Sequence, residues 1–278
     1  MYTIHSLHIY PVKSLAGFEV ESVTVHTRGL GLDRRWMIVN EAGLHQTQRQ
    51  IPQMATIKTA IEDHQLILNA PKMQPLHIPI NLDRQADTRV QIWSDLCMGV
   101  NEGDKAAKWL QKALKSTTPL RLICFPNTEI RPVDPNYLKQ EKAHTGFSDG
   151  FPFLVTNTAT LDFLNRALNK RNLPSVPMNR FRPNIVLAGK HAHEENQWKE
   201  LTTEDLSVGF GVRKPCQRCL VTTVNQQTGK IEIPHEPLKT LVEINPFDHL
   251  KGGFFGQNLT LLKGEGECLS KGARLFYK

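Results

Sequence analysis

Alternating apolar and polar residues dominate the first hundred positions of the chain. This period is typical of half-buried β-strands, and the alternating stretches are separated by proline, glycine and asparagine, which favour turns. Their spacing predicts a curled antiparallel sheet. The predicted strands cover residues 2–10, 20–27, 36–39, 56–61, 65–68 and 89–93.

Two later segments carry the helical period instead. The first is predicted to begin at Asp104, and its inward-facing residues are Ala106, Ala107, Leu110, Ala113 and Leu114. The second is predicted to begin near Asn157 and to stop before Pro174, and its inward-facing residues are Leu161, Leu164 and Leu168. Because strands surround both helices, the pattern predicts a mainly β fold with some α structure, of the α+β class.

Strand signals return from residue 184 to the end of the chain. They include an apolar run at 206–212 and a hairpin predicted around residues 225–229. Between the two halves, a polar span at 126–147 contains prolines and resembles a loop that other parts of the chain must hold. No repeat or low-complexity linker separates the halves, so we predict two tightly packed parts with a boundary between residues 103 and 118.

Composition adds that the chain is an ordinary globular protein. It has 278 residues, of which 40% are hydrophobic and 22% are charged. The first residues lack the pattern of a secretory signal, and no apolar run approaches the roughly 18 residues of a membrane span. We therefore expect a cytoplasmic protein with no membrane span. Five cysteines are an odd number in a chain of this size, so we expect reduced thiols.

The net charge of +7 fits nucleic acid, a membrane surface or a small anionic ligand. However, the chain has no block of consecutive basic residues, no aromatic-rich basic strand and no basic amphipathic helix. Most of the excess charge is therefore interpreted as dispersed surface charge, and no nucleic-acid partner is predicted.

The stretch KPCQRC separates Cys216 from Cys219 by two residues. A zinc knuckle needs two more ligands at a matching spacing, and none follows nearby. A thioredoxin-like dithiol should open a helix, but the β-branched run LVTTV follows the second cysteine. Two interpretations stay open. The thiols are either a buried structural pair, or one of them is a thiolate that Lys214 and Arg218 stabilise for binding a soft metal.

Six sequence blocks, found in one order along the chain, narrow this choice. The last block is KPCQRCLVTTVNQQTG, with EPLKTL and FGQNL after it, and the earlier blocks are IYPVKSLAG, GLDRRWMIV, TQRQIPQM, FSDGFPFLV and NRFRPNIVLAG. Together they cover nearly the whole chain and resemble MOSC-domain proteins, in the branch that contains the mitochondrial amidoxime-reducing component and bacterial YcbX-type proteins. The resemblance implies an N-terminal β-barrel domain at residues 1–115, packed on a MOSC-type β-barrel domain with peripheral helices at residues 116–278.

The resemblance also implies a molybdenum cofactor, Mo-molybdopterin, at the interface between the two domains. Cys219 matches the thiolate that ligates the metal in this family, and Cys216 is then its neighbour. Gln217 and Arg218 lie beside the ligand and are expected to touch the cofactor. The cations and hydroxyl expected to bind its phosphate or pterin oxygens are Lys13, Ser14, Arg34 and Arg182.

Three further residues follow from the same resemblance. Asn184 offers a donor and an acceptor to the pterin edge, and its alternative role is that of a turn residue before a strand. Ser148 and Asp149 match an SDT-like segment of the family, but Gly150 stands where threonine is often found, so this chain lacks one hydroxyl of the family pattern. Asp149 is expected to bond pterin amines or to relay protons, which makes it a catalytic candidate together with Cys219. Its alternative role is to cap a turn.

The implied activity is the reduction of N-hydroxylated compounds such as amidoximes, hydroxylamines and N-hydroxylated bases. The chain has no cysteine cluster for an iron–sulfur centre and no dinucleotide-binding motif, so electrons are expected from a separate reductase or a ferredoxin- or flavodoxin-type donor. The alternative is a carrier or handling protein for the molybdenum cofactor or for sulfur, because MOSC domains also occur in molybdenum cofactor sulfurases.

Overall fold

Strands predominate in the computed structural model, which describes residues 1–278 of the chain. The predicted fold class, mainly β with some α structure, is confirmed. Three α-helices accompany the strands: α1 (Gly103–Leu114), α2 (Thr158–Lys170) and α3 (Leu238–Glu243). None of these helices is long and apolar enough to cross a membrane.

The strands form one barrel and several smaller sheets. In chain order they are β1 (Tyr2–Ile9), β2 (Phe18–Val20), β3 (Ser22–His26), β4 (Gly29–Leu30), β5 (Trp36–Asn40), β6 (Lys58–Glu62), β7 (Gln65–Asn69), β8 (Leu76–Pro79), β9 (Thr88–Ile92), β10 (Asp95–Asn101), β11 (Leu120–Cys124), β12 (Arg131–Pro132), β13 (His144–Thr145), β14 (Phe153–Asn157), β15 (Ile185–Ala188), β16 (Glu200–Thr203), β17 (Gly209–Gln217), β18 (Phe254–Lys263), β19 (Cys268–Ser270) and β20 (Arg274–Tyr277).

Seven of these strands close into a barrel in the order β15, β14, β18, β17, β16, β20 and β1. The barrel closes because β1 also pairs with β15, with Leu7 opposite Ile185. A single apolar cluster fills its interior, including the buried residues Ile4, Val155, Phe210, Leu259 and Leu275. The first strand of the chain therefore completes a barrel whose other six strands come from residues 153–277.

The N-terminal half forms a half-barrel sheet in the order β5, β11, β10 and β9, with the three-stranded sheet of β6, β7 and β8 beside it. A second core lies here, and its buried members include Val12, Trp36, Leu66, Leu110 and Leu122. The pairing of β1 with β15 and β20, and of β3 with β19, ties residues 2–26 to the C-terminal part. The division of the chain at residue 115 stays a prediction.

Both predicted helices form where the apolar period places them. The Asn157 side chain caps α2 by accepting a hydrogen bond from the Ala159 N–H at 2.9 Å, which satisfies one of the free donors of the first turn. Leu164 and Leu168 are buried on the inward face. Helix α2 joins β14 to β15, which run parallel and therefore need such a crossover.

Two predictions close to the cysteines are wrong. The strand predicted at 206–212 is shifted, because Leu206 lies in a turn and β17 begins only at Gly209. The hairpin predicted around residues 225–229 is absent, since the preceding run forms a short 3-10 helix, Leu220–Thr223. Residues 225–229 still make a turn, in which the Gly229 N–H donates to the Asn225 carbonyl at 2.8 Å.

Local hydrogen bonds explain why this β-branched run is not a strand. The Thr222 hydroxyl donates to the Cys219 carbonyl at 2.9 Å, and the Thr223 hydroxyl donates to the Leu220 carbonyl at 2.7 Å. Threonine side chains that bond to the backbone three residues earlier offer it an alternative to a sheet ladder. The turn after Cys219 is therefore stabilised by its own side chains.

Candidate functional site

A polar cleft lies between the N-terminal sheet and the barrel. It contains about 850 Å³ of space, counted out to its open mouth. Its walls come from the segment after β1, the turn before β5, the loops before β14 and β15, and the end of β17. The cleft brings together all the site residues predicted from the sequence, which are Lys13, Ser14, Arg34, Ser148, Asp149, Arg182, Asn184, Gln217, Arg218 and Cys219.

The two cysteines of the KPCQRC stretch both line this cleft, and both are half-buried. Cys216 lies on β17, and its sulfur accepts a hydrogen bond from Arg218 Nη1 at 2.8 Å. The Cys219 carbonyl accepts hydrogen bonds from the Thr222 N–H and hydroxyl in the 3-10 helix that follows. The Cys219 sulfur takes part in no hydrogen bond. The thiol predicted to ligate a metal is therefore the one that the fold leaves uncommitted.

Two arginines share one aromatic ring on the wall of the cleft. The guanidinium carbons of Arg34 and Arg182 each lie 4.3 Å from the centroid of the Tyr10 ring. The ring attracts both cations, which offsets part of their mutual repulsion. Both arginines have left-handed backbone angles, with φ of 48° and 53°, a conformation that is costly for residues other than glycine. The sequence reasoning missed Tyr10, although the block IYPVKSLAG contains it.

Buried nitrogen atoms in the cleft lack partners. Arg182 donates from Nη1 to the Gln226 side chain at 3.3 Å, but its Nη2 is buried and unpaired. Arg218 donates from Nη2 to the Phe181 carbonyl at 2.7 Å, while its Nε is buried and unpaired. Burial and the neighbouring Arg34 lower the pKa of Arg182 to about 10, so the group stays charged at neutral pH. Because unpaired buried donors are costly, an anionic, oxygen-rich ligand fits them.

Lys13 and Asp149 form an ion pair across the cleft. The buried ammonium of Lys13 donates to Asp149 Oδ1 at 2.6 Å and to the Phe147 carbonyl at 3.0 Å. Asp149 also accepts a hydrogen bond from the Trp93 indole at 3.2 Å. Desolvation works against ionisation, but Lys13 and Trp93 outweigh it and hold the pKa of Asp149 well below its ordinary value. At neutral pH this carboxylate is therefore a hydrogen-bond acceptor.

The remaining predicted residues differ in how far the fold already uses them. Asn184 is committed, because its side-chain oxygen accepts from the Leu154 N–H and its amide donates to the His8 carbonyl, both at 3.2 Å. This arrangement fits its alternative, structural role. Ser14 and Ser148 are both buried in the wall, and their hydroxyls make no hydrogen bond within the chain.

Gln217 and Gly150 lie at less crowded positions of the lining. Gln217 is exposed, and its side-chain amide donates to the Lys251 carbonyl at 3.3 Å. A Cβ added to Gly150 would meet no atom within 4 Å, so the threonine that the family often has here would find room. Lack of space therefore does not explain the glycine at this position.

The charge of the lining is strongly unbalanced. Asp149 is its only acidic residue and is paired with Lys13, whereas the cations are Lys13, Arg34, Arg49, Arg182 and Arg218. These residues fit the cofactor expected from the sequence. An uncommitted thiol suits a soft metal, and free guanidinium donors and serine hydroxyls suit phosphate and pterin oxygens.

Comparison with known proteins bears on the whole chain. The family model of the MOSC N-terminal beta barrel domain matches residues 1–117, and that of the MOSC domain matches residues 142–273. The chain is 35% identical over 254 residues to mitochondrial amidoxime reducing component 2 of Bos taurus, covering 86% of this chain and 71% of that protein. It is 31% identical over 264 residues to mitochondrial amidoxime-reducing component 1 of Homo sapiens, covering 92% and 76% respectively.

A second kind of relative is much longer than the chain. The molybdenum cofactor sulfurase of Homo sapiens is 31% identical over 245 residues, which represent 82% of this chain but 27% of the sulfurase. The similarity therefore concerns about a quarter of that protein.

Proposed function

Because the chain belongs to the MOSC family, with a MOSC N-terminal β-barrel domain before a MOSC domain, we propose that it is a molybdenum-dependent oxidoreductase that reduces N-hydroxylated compounds. One observation carries this proposal. A single cleft combines the uncommitted thiol of Cys219 with buried, unpaired guanidinium nitrogens of Arg182 and Arg218. The relatives named amidoxime-reducing components support the same reaction class.

Each group of residues has a distinct part in holding the cofactor. Cys219 would provide the protein sulfur for the metal, and Arg34 and Arg182 would bind phosphate or pterin oxygens. The free hydroxyls of Ser14 and Ser148 would complete the polar contacts. When bound, the cofactor supplies the two-electron chemistry that removes the oxygen of an N–OH group.

The Lys13–Asp149 pair would serve the reacting substrate. Asp149 stays ionised and accepts a hydrogen bond from a substrate N–H or O–H at the cleft. Burial lowers the pKa of Lys13, although Asp149 opposes this shift, so its ammonium is a better acid than that of an exposed lysine. We therefore assign the proton-donating role to Lys13 and the orienting role to Asp149.

Expression in a host that makes molybdenum cofactor tests the proposal. We expect a molybdenum content close to stoichiometric, pterin fluorescence, and turnover of benzamidoxime when reduced viologen supplies electrons. A fully loaded protein that reduces no amidoxime, hydroxylamine or N-hydroxylated base would contradict the reductase.

The alternative is a protein that carries or handles the cofactor, and the similarity to molybdenum cofactor sulfurase favours it. The same cleft would then bind the cofactor without reducing substrates. Incubation of the loaded chain with a cofactor-free molybdenum enzyme separates the two functions. Activation of that enzyme, together with no viologen-driven turnover by the chain itself, would support the carrier.

We also propose a separate electron donor and a cytoplasmic location. The purified chain should not use NADH or NADPH alone, whereas a reduced ferredoxin- or flavodoxin-type protein should start turnover. Fractionation of cells that express the chain tests the location, and recovery in a membrane or organelle fraction would contradict it.

A further inference from the structure

Arg49 is a cation of the cleft without a polar partner. It is exposed at the mouth, and its guanidinium makes no hydrogen bond or ion pair within the chain; only its backbone N–H is used, by Thr47 at 3.2 Å. The guanidinium carbon lies 4.3 Å from the centroid of the Trp93 ring. Stacking occupies a face of the guanidinium plane and leaves the N–H donors along its edge free for a carboxylate or phosphate.

Trp93 is held in place as a platform. It occupies the first position of the two-residue turn between β9 and β10, where Ile92 pairs with Asp95. Its φ of 55° is a left-handed angle that such turns usually give to glycine, asparagine or aspartate. His45 packs edge-on against the ring with 4.7 Å between centroids. A bulky residue fixed in a strained conformation at the mouth of a cleft points to a function for that ring.

The surrounding charges leave Arg49 open to an anion. Asp149, the acidic residue of the lining, is already paired with Lys13 at 2.6 Å. Desolvation and the Lys13 charge lower the pKa of His45, so its imidazole is neutral at pH 7. Among the arginines that line the cleft, Arg182 is buried and Arg218 is half-buried in the wall, whereas Arg49 is exposed.

We infer that Arg49, stacked on Trp93, selects substrates that carry a carboxylate or phosphate group away from the N–OH group. The inference rests on the proposed reductase function. It adds a substrate class, namely planar N-hydroxylated compounds with an anionic substituent. A planar substrate suits the site because the Trp93 ring covers one face of the flat guanidinium, and the exposed side chain offers its other face for stacking.

Two substrates with the same ring and the same reacting group test this selection. Viologen-driven kinetics with 4-carboxybenzamidoxime and benzamidoxime should be compared in the wild type, Arg49→Gln and Arg49→Lys. Arg49→Gln should raise the KM for the carboxylate compound about tenfold, as expected for loss of a charge-assisted hydrogen bond, and that for benzamidoxime about twofold at most. Arg49→Lys should lie between, because lysine keeps the charge but lacks the planar fork.

Arg89→Gln is the matched control. Arg89 is exposed on β9, the strand that leads into the same turn, and does not line the cleft. Arg89→Gln removes one positive charge, as Arg49→Gln does. A KM increase seen only in Arg49→Gln therefore reports a local contact and not the loss of net charge. Equal KM increases for both compounds in Arg49→Gln, or no increase for either, would overturn the inference.

A binding measurement keeps this test separate from the proposed activity. Calorimetry should show that the wild type binds 4-carboxybenzamidine more tightly than benzamidine, and that Arg49→Gln loses this preference. If the wild type reduces no compound, the reductase proposal fails, while the binding preference still decides the role of Arg49. Loss of molybdenum from Arg49→Gln would instead assign this arginine to the cofactor and overturn the inference.

Discussion

Arg182 lines the cleft and Arg131 lies behind its wall; both arginines are buried, yet the fold uses them in opposite ways. Arg131 has an acceptor for each nitrogen: Nε pairs with Asp95 at 2.7 Å, and the two Nη atoms donate to the carbonyls of residues 146, 148 and 149. Arg182 has one acceptor, at 3.3 Å, and a buried Nη2 with none. Arg131 therefore holds the loop that carries Ser148 and Asp149, while Arg182 keeps hydrogen-bonding capacity for a ligand.

The two cysteines repeat this contrast. The Cys216 sulfur accepts from Arg218, and the Cys219 sulfur has no hydrogen bond. A satisfied polar group stabilises the fold, whereas an incompletely satisfied one in a cleft costs stability unless a ligand completes it. For these two pairs of residues, we therefore expect unused hydrogen-bonding capacity to distinguish the group that binds a ligand from the group that builds the wall.

The largest expected effect follows from the cysteines. Cys219→Ser should abolish viologen-driven reduction of benzamidoxime, because the metal would lose its protein thiolate, while the free energy of unfolding changes by about 1 kcal/mol at most. Cys216→Ser should lose far less activity, since its sulfur already accepts a hydrogen bond from Arg218 and Cys219 is the proposed metal ligand. Turnover rates and urea unfolding of both variants check this pair. If Cys216→Ser were inactive and Cys219→Ser active, Cys216 would be the metal ligand and Cys219 its neighbour.

Arg131 should produce the largest change in stability. Arg131→Met removes the donors of three carbonyls and leaves them unsatisfied, so we expect a loss of about 3 kcal/mol in the free energy of unfolding. Arg121→Met is the control, because Arg121 forms an exposed pair with Asp104 that should contribute about 1 kcal/mol or less. Equal losses in the two variants, measured by urea unfolding, would show that Arg131 does not hold the loop.

Arg182 should separate cofactor binding from stability. Arg182→Met keeps the bulk of the side chain and removes a buried cation with an unpaired nitrogen, so the free energy of unfolding should change by about 1 kcal/mol at most. The molybdenum and pterin content of the purified protein should nevertheless fall. If metal analysis shows wild-type molybdenum content in this variant, Arg182 has a structural role and does not bind the cofactor.

The sequence predicted those features that depend on local period or on a motif. Helices α1 and α2 form where apolar residues recur with the helical spacing. The motif blocks identified residues that the fold brings into one cleft, although they are as far apart in the chain as Lys13 and Cys219. The roles of the individual residues stay predictions.

Other features depend on contacts that no local pattern shows. Arg131 donates to Asp95, which lies 36 positions earlier in the chain. The Gln226 side chain accepts a hydrogen bond from Arg182 and donates one to Gln48, which lies 178 positions before Gln226. Tyr10 and Trp93 gain their importance from arginines that stack on them only in the folded chain. The hairpin around residues 225–229 was predicted wrongly because threonine hydroxyl bonds outweighed β propensity.

The smallest expected effect concerns an ion pair of the polar span at 126–147, between Glu141 and Arg213 at 2.5 Å. Desolvation opposes ionisation of Glu141, but Arg213 and the Thr260 hydroxyl outweigh it and lower the pKa to about 2. Because the folded pKa lies below the ordinary value of 4.5, this carboxylate stabilises the fold above pH 4.5, and the contribution is lost as the pH falls toward 2.

Glu141→Gln should therefore lower the free energy of unfolding by about 1 kcal/mol at pH 7, and the difference from the wild type should shrink below pH 4.5. Urea unfolding at pH 7, 4.5 and 3 measures it. Glu204→Gln is the control, because Glu204 forms an exposed pair with Arg274 at 3.4 Å that should contribute little at any pH. A difference for Glu141→Gln that stays constant from pH 7 to 3 would mean that the lost contact is not the ion pair.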